Sequence, residues 1–124
     1  MNKSIFNIPN PKALASKIKL ISFDLDGTLL GTSGKISSDS LKEIARIKKM
    51  GVAMAIATGR PLFSCEEIID QVGVEGASMF FAGSLVIDVF TRIPVFENHL
   101  SKEVVKNLVK FSRSNKLSLE LYTG

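Results

Sequence analysis

Two acids, a glycine and a hydroxyl stand together in Asp24-Leu25-Asp26-Gly27-Thr28, directly after the apolar run Leu20-Ile21-Ser22-Phe23. An aspartate carboxylate can attack phosphorus and hold the phosphoryl group, and Asp24, projecting from the end of a strand, is the candidate for that part. Asp26 is the candidate to protonate a leaving oxygen and then to take a proton from water. Two carboxyl groups this close call for a cation between them and the phosphate. Magnesium suits, because it prefers oxygen ligands and shares them with substrate phosphates; Asp24 and Asp26 are the expected ligands. Gly27 permits a tight turn, so that backbone N–H groups there, Leu25 included, can face phosphate oxygens, and Thr28 adds a hydroxyl. Asp, Gly and Thr are also ordinary turn residues. A fixed D-x-D-G-T, however, arises by chance in a chain of this length on the order of one time in a thousand.

The elements that would position these groups follow in order. Leu20 to Asp24 reads as a strand apolar on both faces, as in the centre of a parallel sheet. Leu29 to Ile36, with Gly31 and Gly34, is a loop or small flap over the site. Ser37 or Ser38 caps a helix running to Met50, with Leu41, Ile44, Ala45 and Lys48 on one stripe and Gly51 as its stop. Only the stem of Lys48 is expected to be buried, while Lys42, Arg46 and Lys49 form a solvated face. Val52 to Ala57 is a second strand. A right-handed strand–helix–strand crossover then places Thr58 beside Asp24 at one end of the sheet, where ligands of open α/β sheets bind. Thr58 is expected to donate to a phosphate oxygen, with Gly59 allowing close approach. Arg60 has two open roles: reaching a phosphate or sugar substituent, or pairing with an acid on the next helix.

Phe-Asp-Leu-Asp-Gly-Thr-Leu-Leu resembles the first motif of the haloacid dehalogenase superfamily in its phosphatase branch. Ala57-Thr58-Gly59-Arg60-Pro61 is similar to the second motif of its sheet-capped, Cof-type sugar-phosphate phosphatases. The likeness runs from about Lys19 to Gly124. It implies a magnesium-dependent phosphatase of small phosphorylated metabolites, working through an aspartyl-phosphate. An acid two residues after the nucleophile marks the phosphatases and phosphomutases of that superfamily, and Asp26 holds this place. The resemblance also implies a lysine and an acidic cluster in motifs that fall beyond residue 124. Where the family commonly has Asn-Gly-Ala after its third strand, this chain has Ala82-Gly83-Ser84.

The rest of the chain supports an α/β class: a partial Rossmann-like parallel core over residues 19–84, then the start of an α+β cap over 85–124. Residues 1–18, with Pro9 and Pro11, read as a loose leader with a helical turn near Lys12 to Lys17. Pro61 opens a helix to Val72 stopped by Gly73, and Ser78 to Ala82 is a third parallel strand. Leu85–Ile87 and Ile93–Phe96 are two strands joined by a short loop, with Pro94 confining the second to an edge. Ser101 caps a helix whose apolar side carries Val104, Val105, Leu108, Val109 and Phe111; Asn115 ends it, and Leu117 to Tyr122 is a last strand. Lys102, Lys106 and Lys110 are expected to face solvent, and His99 to be a surface or capping residue.

Composition narrows the partners. The net charge of +4 rests on Lys3, Lys12, Lys17 and Lys19, and the other basic residues are matched by acids. A four-lysine leader with one aromatic, Phe6, does not make a nucleic-acid footprint. No apolar stretch approaches the about 20 residues that cross a bilayer, and the leader lacks a secretory core. Cys65 stands alone and is expected to be a small buried residue in a reducing compartment; cytoplasm is the default. Without a strand on its far side, Leu20–Phe23 would be an apolar sheet edge open to self-association. Two other readings stay open: a phosphomutase, and an inactive fragment or phosphate-binding module without turnover.

Overall fold

The computed structural model describes residues 17–122, so the helical turn expected near Lys12 and most of the 1–18 leader lie outside the described residues. The first strand, β1, is Leu20–Phe23; helix α1 is Ser38–Lys49; β2 is Ala53–Ile56. β1 and β2 pair in parallel, with Phe23 opposite Ile56, and the Ala57 N–H extends the pairing to the Phe23 carbonyl at 2.8 Å. This is the expected crossover, and it brings the two strand exits to one end. Ser37 caps α1 by accepting from the Ser40 N–H at 3.0 Å, and Gly51 follows in the left-handed region at φ 78°. Arg46 and Lys42 pair with Glu43 and Asp39 on the solvent side. Lys48 does more than bury its stem: its ammonium donates to the Gly73 carbonyl and lies 3.6 Å from Glu75.

The segment between β1 and α1 is a compact turn. Leu30 bridges both Asp26 and Ile36, the Gly31 N–H donates to Lys35, and Leu30 and Ile36 are buried. Two apolar anchors thus tie down what a glycine-rich composition suggests is loose.

The single helix expected from Pro61 to Val72 is two pieces, a 3-10 turn at Leu62–Ser64 and helix α2 at Glu66–Val72. In one continuous helix the Pro61 carbonyl would accept from the Cys65 N–H. Here Ser64 occupies that carbonyl through both its N–H and its hydroxyl, and the Cys65 N–H turns to Leu62. Such back-bonding is how serine interrupts helices. Pro61 itself is extended, at ψ 149°, and precedes the turn rather than opening a helix. Cys65 is fully buried at the joint.

The third strand, β3, is Ala77–Phe80 and touches β2 through a single parallel bridge, Ala57 to Met79. Ser78 explains why no regular ladder forms there. Its hydroxyl accepts the Ile56 N–H at 3.0 Å, taking a bond that a regular parallel ladder gives to a backbone carbonyl. The strand ends before Ala82, because Phe81 and Ala82 both lie in the left-handed region at φ 49° and 53°. Strands β4, Leu85–Asp88, and β5, Pro94–Glu97, continue from β3 as an antiparallel meander. Pro94 sits on the outer strand, as its missing N–H demands. The β3–β4 ladder crosses residue 85, so residues 85–97 are hydrogen-bonded to the sheet that starts within 19–84.

Helix α3 is Lys102–Ser114, capped by Ser101 through the Val104 N–H and closed at Asn115. Its apolar side is largely in solvent: Val104, Leu108 and Phe111 are exposed. No strand forms at Leu117–Tyr122, contrary to expectation. Among the described residues no neighbouring strand offers that segment a ladder, and its first turn is held instead by Ser112, whose hydroxyl donates to the Leu117 carbonyl at 2.7 Å. β1 likewise has one strand neighbour only among the described residues, and Leu20 is 55% exposed. The core packs Leu25, Leu30, Ile44, Met54, Ile56, Cys65, Ile69, Val72 and Phe80 between the sheet and the two shorter helices.

Candidate active site

Asp24 leaves β1 exposed to solvent, while its neighbour Leu25 is fully buried. That alternation anchors the turn and turns both acids outward. The turn closes through the Leu29 and Leu30 N–H groups, which donate to the Asp24 and Leu25 carbonyls, and Gly27 takes φ 74° within it. The Thr28 hydroxyl donates to Asp24 Oδ2 at 2.6 Å, so one oxygen of this carboxylate is oriented and the other is left to solvent.

Thr58 occupies the matching position at the exit of β2 and is 5% exposed. Its hydroxyl oxygen accepts the Arg60 N–H at 3.2 Å, which leaves the hydroxyl proton for an acceptor from solution. Gly59 is exposed, and a Cβ added there would have no protein atom within 4 Å, so local packing does not require a glycine.

Arg60 settles on a role neither option had named. Its guanidinium forks onto Asp26, Nε to Oδ2 at 2.8 Å and a terminal nitrogen to Oδ1 at 2.6 Å. Planar bidentate pairing of this kind is among the stronger side-chain contacts available. The two hydrogen bonds, aided by the guanidinium charge, hold the Asp26 carboxyl below its ordinary value near 3.8. The next helix finds another partner: Glu66 pairs with Arg92.

The turn at Phe81–Ala82 completes the surroundings, and composition gives little sign of it. The Ala82 N–H donates to the Thr58 carbonyl at 3.0 Å and the Phe81 N–H to the Arg60 carbonyl at 3.1 Å. The Thr58–Arg60 backbone is thus clamped from the far end of β3. The one legible signal was Ala82 standing where an asparagine is common.

Oxygen donors of this kind suit a hard cation, which needs one or two carboxylates beside phosphate oxygens and water. Asp24 offers one oxygen unheld by Thr28, while both oxygens of Asp26 are held by Arg60. Among the described residues, no group of three His, Cys, Asp or Glu side chains gathers to hold a metal. Asp24 therefore fits a cation better than Asp26 does.

Comparison with known proteins gives the family and the fold. The family model for haloacid dehalogenase-like hydrolases matches residues 21–124. The chain belongs to that family. Among curated relatives, a 5-amino-6-(5-phospho-D-ribitylamino)uracil phosphatase of Bacillus subtilis, YitU, is 35% identical over 105 residues, covering 82% of this chain and 38% of its own length. An HMP-PP phosphatase of Yersinia pestis is 29% identical over 104 residues, covering 84% and 38%. A haloacid dehalogenase-like hydrolase from Bacteroides thetaiotaomicron superposes with a TM-score of 0.74 at 31% identity, covering 81% of this chain and 39% of that one. A subclass IIB sugar phosphatase of the superfamily shares the fold at a TM-score of 0.66 and 23% identity. The chain spans about a third of the length of the curated relatives it matches.

Proposed function

We propose that this chain carries the nucleophile half of a phosphatase site for small phosphorylated metabolites, in a magnesium-dependent cytoplasmic enzyme of the Cof type. The observation that carries the reading is the shared end of two parallel strands. Asp24 and Thr58 leave β1 and β2 side by side, and Arg60 ties Asp26 to the same corner. The relatives named as phosphatases of small phosphorylated compounds support it.

In this reading the Asp24 oxygen not held by Thr28 attacks phosphorus as the bond to the leaving oxygen breaks, and Asp26 gives that oxygen a proton. Water then attacks the aspartyl-phosphate, Asp26 takes the water's proton, and the bond from phosphorus to Asp24 breaks, releasing phosphate. A magnesium ion, held by Asp24, would offset phosphate charge when bound. Thr58 donates to a phosphoryl oxygen, the open space at Gly59 admits the group, and the turn at Leu25–Gly27 offers backbone N–H groups, while the Thr28 hydroxyl stays on Asp24. Asp26 is clasped and ionised at rest, so it must loosen from Arg60 and take up a proton before it can serve as an acid.

A second reading, phosphate binding without turnover, is favoured by the lack of a third acid near Asp24 and Asp26 among the described residues. One experiment separates the two. With a phosphomonoester such as ribose 5-phosphate and magnesium, Asp24→Asn should abolish phosphate release while leaving the circular dichroism unchanged. Turnover retained by Asp24→Asn would sink the phosphatase assignment; binding without turnover in the unmutated chain would favour the second reading. Transfer of the phosphoryl group to a sugar instead of water would mark a phosphomutase. Pairing of two copies through the open edge of β1 belongs to the same proposal and is read by the oligomeric state in solution.

A further inference from the structure

Residues 117–122 have the composition of a strand, are held at both ends and are unpaired between. At the near end both backbone groups of Leu117 turn to helix α3. Its N–H donates to the Ser112 carbonyl at 3.0 Å, and its carbonyl accepts the Ser112 hydroxyl at 2.7 Å. At the far end Tyr122 packs on Phe81 and Phe63, with ring centres 5.4 and 6.0 Å apart. Among the described residues no backbone hydrogen bond reaches Ser118, Leu119, Glu120 or Leu121, and Leu117, Leu119 and Leu121 are all exposed.

An open strand edge is a template for another strand, and the side chains here select which one. Along a strand the backbone groups of successive residues point to opposite edges. With Leu117 turned to α3, those of Ser118 and Glu120 face away from the helix. Leu117, Leu119 and Leu121 then share one face, and Ser118 and Glu120 the other. Laid antiparallel about Leu119, the segment complements itself: Leu117 lies opposite Leu121, Ser118 opposite Glu120, and Leu119 opposite its own copy. The apolar face becomes continuous across both strands, and the free groups of Ser118 and Glu120 close the hydrogen-bonded pairs. Other registers lose this. Centring on Glu120 sets two like charges directly opposite, a one-residue slip sets leucines against the polar face, and a parallel pair stacks glutamate beside glutamate. Centring on Ser118 runs the ladder into Lys116, at φ 54°, and Asn115, the cap of α3. A two-stranded sheet also needs a covering layer, and α3 of each copy brings Val104, Leu108 and Phe111, all exposed. We propose that residues 117–121 pair antiparallel with the same segment of a second copy of this chain, with Leu119 on the two-fold axis. Neither the phosphatase reading nor the edge of β1 enters this pairing.

Leu119 supplies the test, because only a residue on the axis meets itself. Its side chain is exposed, so substitutions there should leave the fold intact, which circular dichroism checks. Sedimentation over a dilution series should show the unmutated 124-residue chain dimerising. Leu119→Lys and Leu119→Glu should each weaken the dimer by about tenfold or more, since like charges then oppose each other. An equimolar mixture of the two variants should restore association as the mixed pair. Leu20→Lys, on the edge of β1, should leave association unchanged. The proposal is overturned if the unmutated chain stays monomeric at every concentration, or if either Leu119 variant alone dimerises as well as it does. It is equally overturned if the mixture is no tighter than the variants apart, or if Leu20→Lys abolishes the dimer.

Discussion

Arg60 grips both oxygens of Asp26 across thirty-four residues of sequence, at 2.6 and 2.8 Å, while its own N–H rests on the Thr58 hydroxyl. One side chain thereby joins the turn after β1 to the turn after β2. The pair is solvent-accessible, so its value is geometric more than energetic.

Removing the guanidinium should free the acid. In Arg60→Ala the Asp26 carboxyl is expected to return upward toward 3.8, and in Arg60→Lys to return part of the way, since an ammonium cannot fork. A carboxylate-carbon NMR titration checks this. The sign for stability follows from the lowered folded-state value. The pair's contribution is complete at pH values above the unfolded chain's value and is lost as pH falls through the lower folded value. The stability gap between the unmutated chain and Arg60→Ala should therefore shrink on acidification and be widest at neutral pH; a gap independent of pH would contradict the pairing.

Thr28 and Asp24 make a second contact whose loss should be felt in chemistry and hardly in folding. Thr28→Val removes a donor at 2.6 Å from an exposed carboxylate. Surface changes of this kind alter stability by no more than about 0.5 kcal/mol. A nucleophile left free to rotate, by contrast, can lose up to about a hundredfold in rate. Thr28→Ser, which keeps the hydroxyl, should retain most activity. Phosphate release measured alongside thermal melts distinguishes the two effects, and activity lost in Thr28→Ser but kept in Thr28→Val would argue that the methyl group, not the hydroxyl, matters.

Much of this was legible because it depends on short-range pattern. Apolar runs of four or five residues, Ser37 and Ser101 before helices, and Gly51 and Asn115 after them gave β1, β2, α1, α3 and the crossover that pairs the strand exits. What escaped depends on side chains finding partners far away or unexpectedly near. Ser64 broke a helix by occupying one carbonyl, and Ser78 replaced a rung of the parallel ladder. Arg60 chose Asp26 over any acid on the following helix. The strand expected at Leu117–Tyr122 has the right composition, but a strand needs a neighbour, and composition does not supply one.

Ala82 sits at φ 53°, ψ 33°, a conformation that costs an ordinary L-residue about 1–2 kcal/mol and that asparagine tolerates better. Ala82→Asn should therefore stabilise the chain by recovering part of that cost, about 0.5 kcal/mol, with a rise in melting temperature of about 2–4 °C. Ala82→Val, β-branched at the same angle, should lower it. Because the Ala82 N–H holds the Thr58 carbonyl, the valine variant should also weaken phosphate binding, measured by calorimetry. A melting temperature unchanged by either substitution would mean the turn is not held in this conformation.

Ser78 offers the sharpest test of how the corner is kept in place. It is 2% exposed, and its hydroxyl is the partner of the Ile56 N–H, itself in a fully buried residue of β2. Ser78→Ala deletes the acceptor without room for a water to be assured, leaving a buried donor unpaired at a cost of about 1–3 kcal/mol. Ser78→Val would fill more space and still offer no acceptor, so it should be no better. The damage should be local before it is global. Thr58 is held to Met79 by its N–H at 2.9 Å, two residues beyond the deleted bond on β2 and one on β3. Amide exchange should therefore accelerate at Ile56 and Thr58 more than at Phe23 or Ile44, and urea unfolding should shift to lower concentration. Uniform acceleration across all four amides would instead show that β2 and β3 open only with the whole fold, and that the serine contributes to general stability and not to the seam beside Thr58.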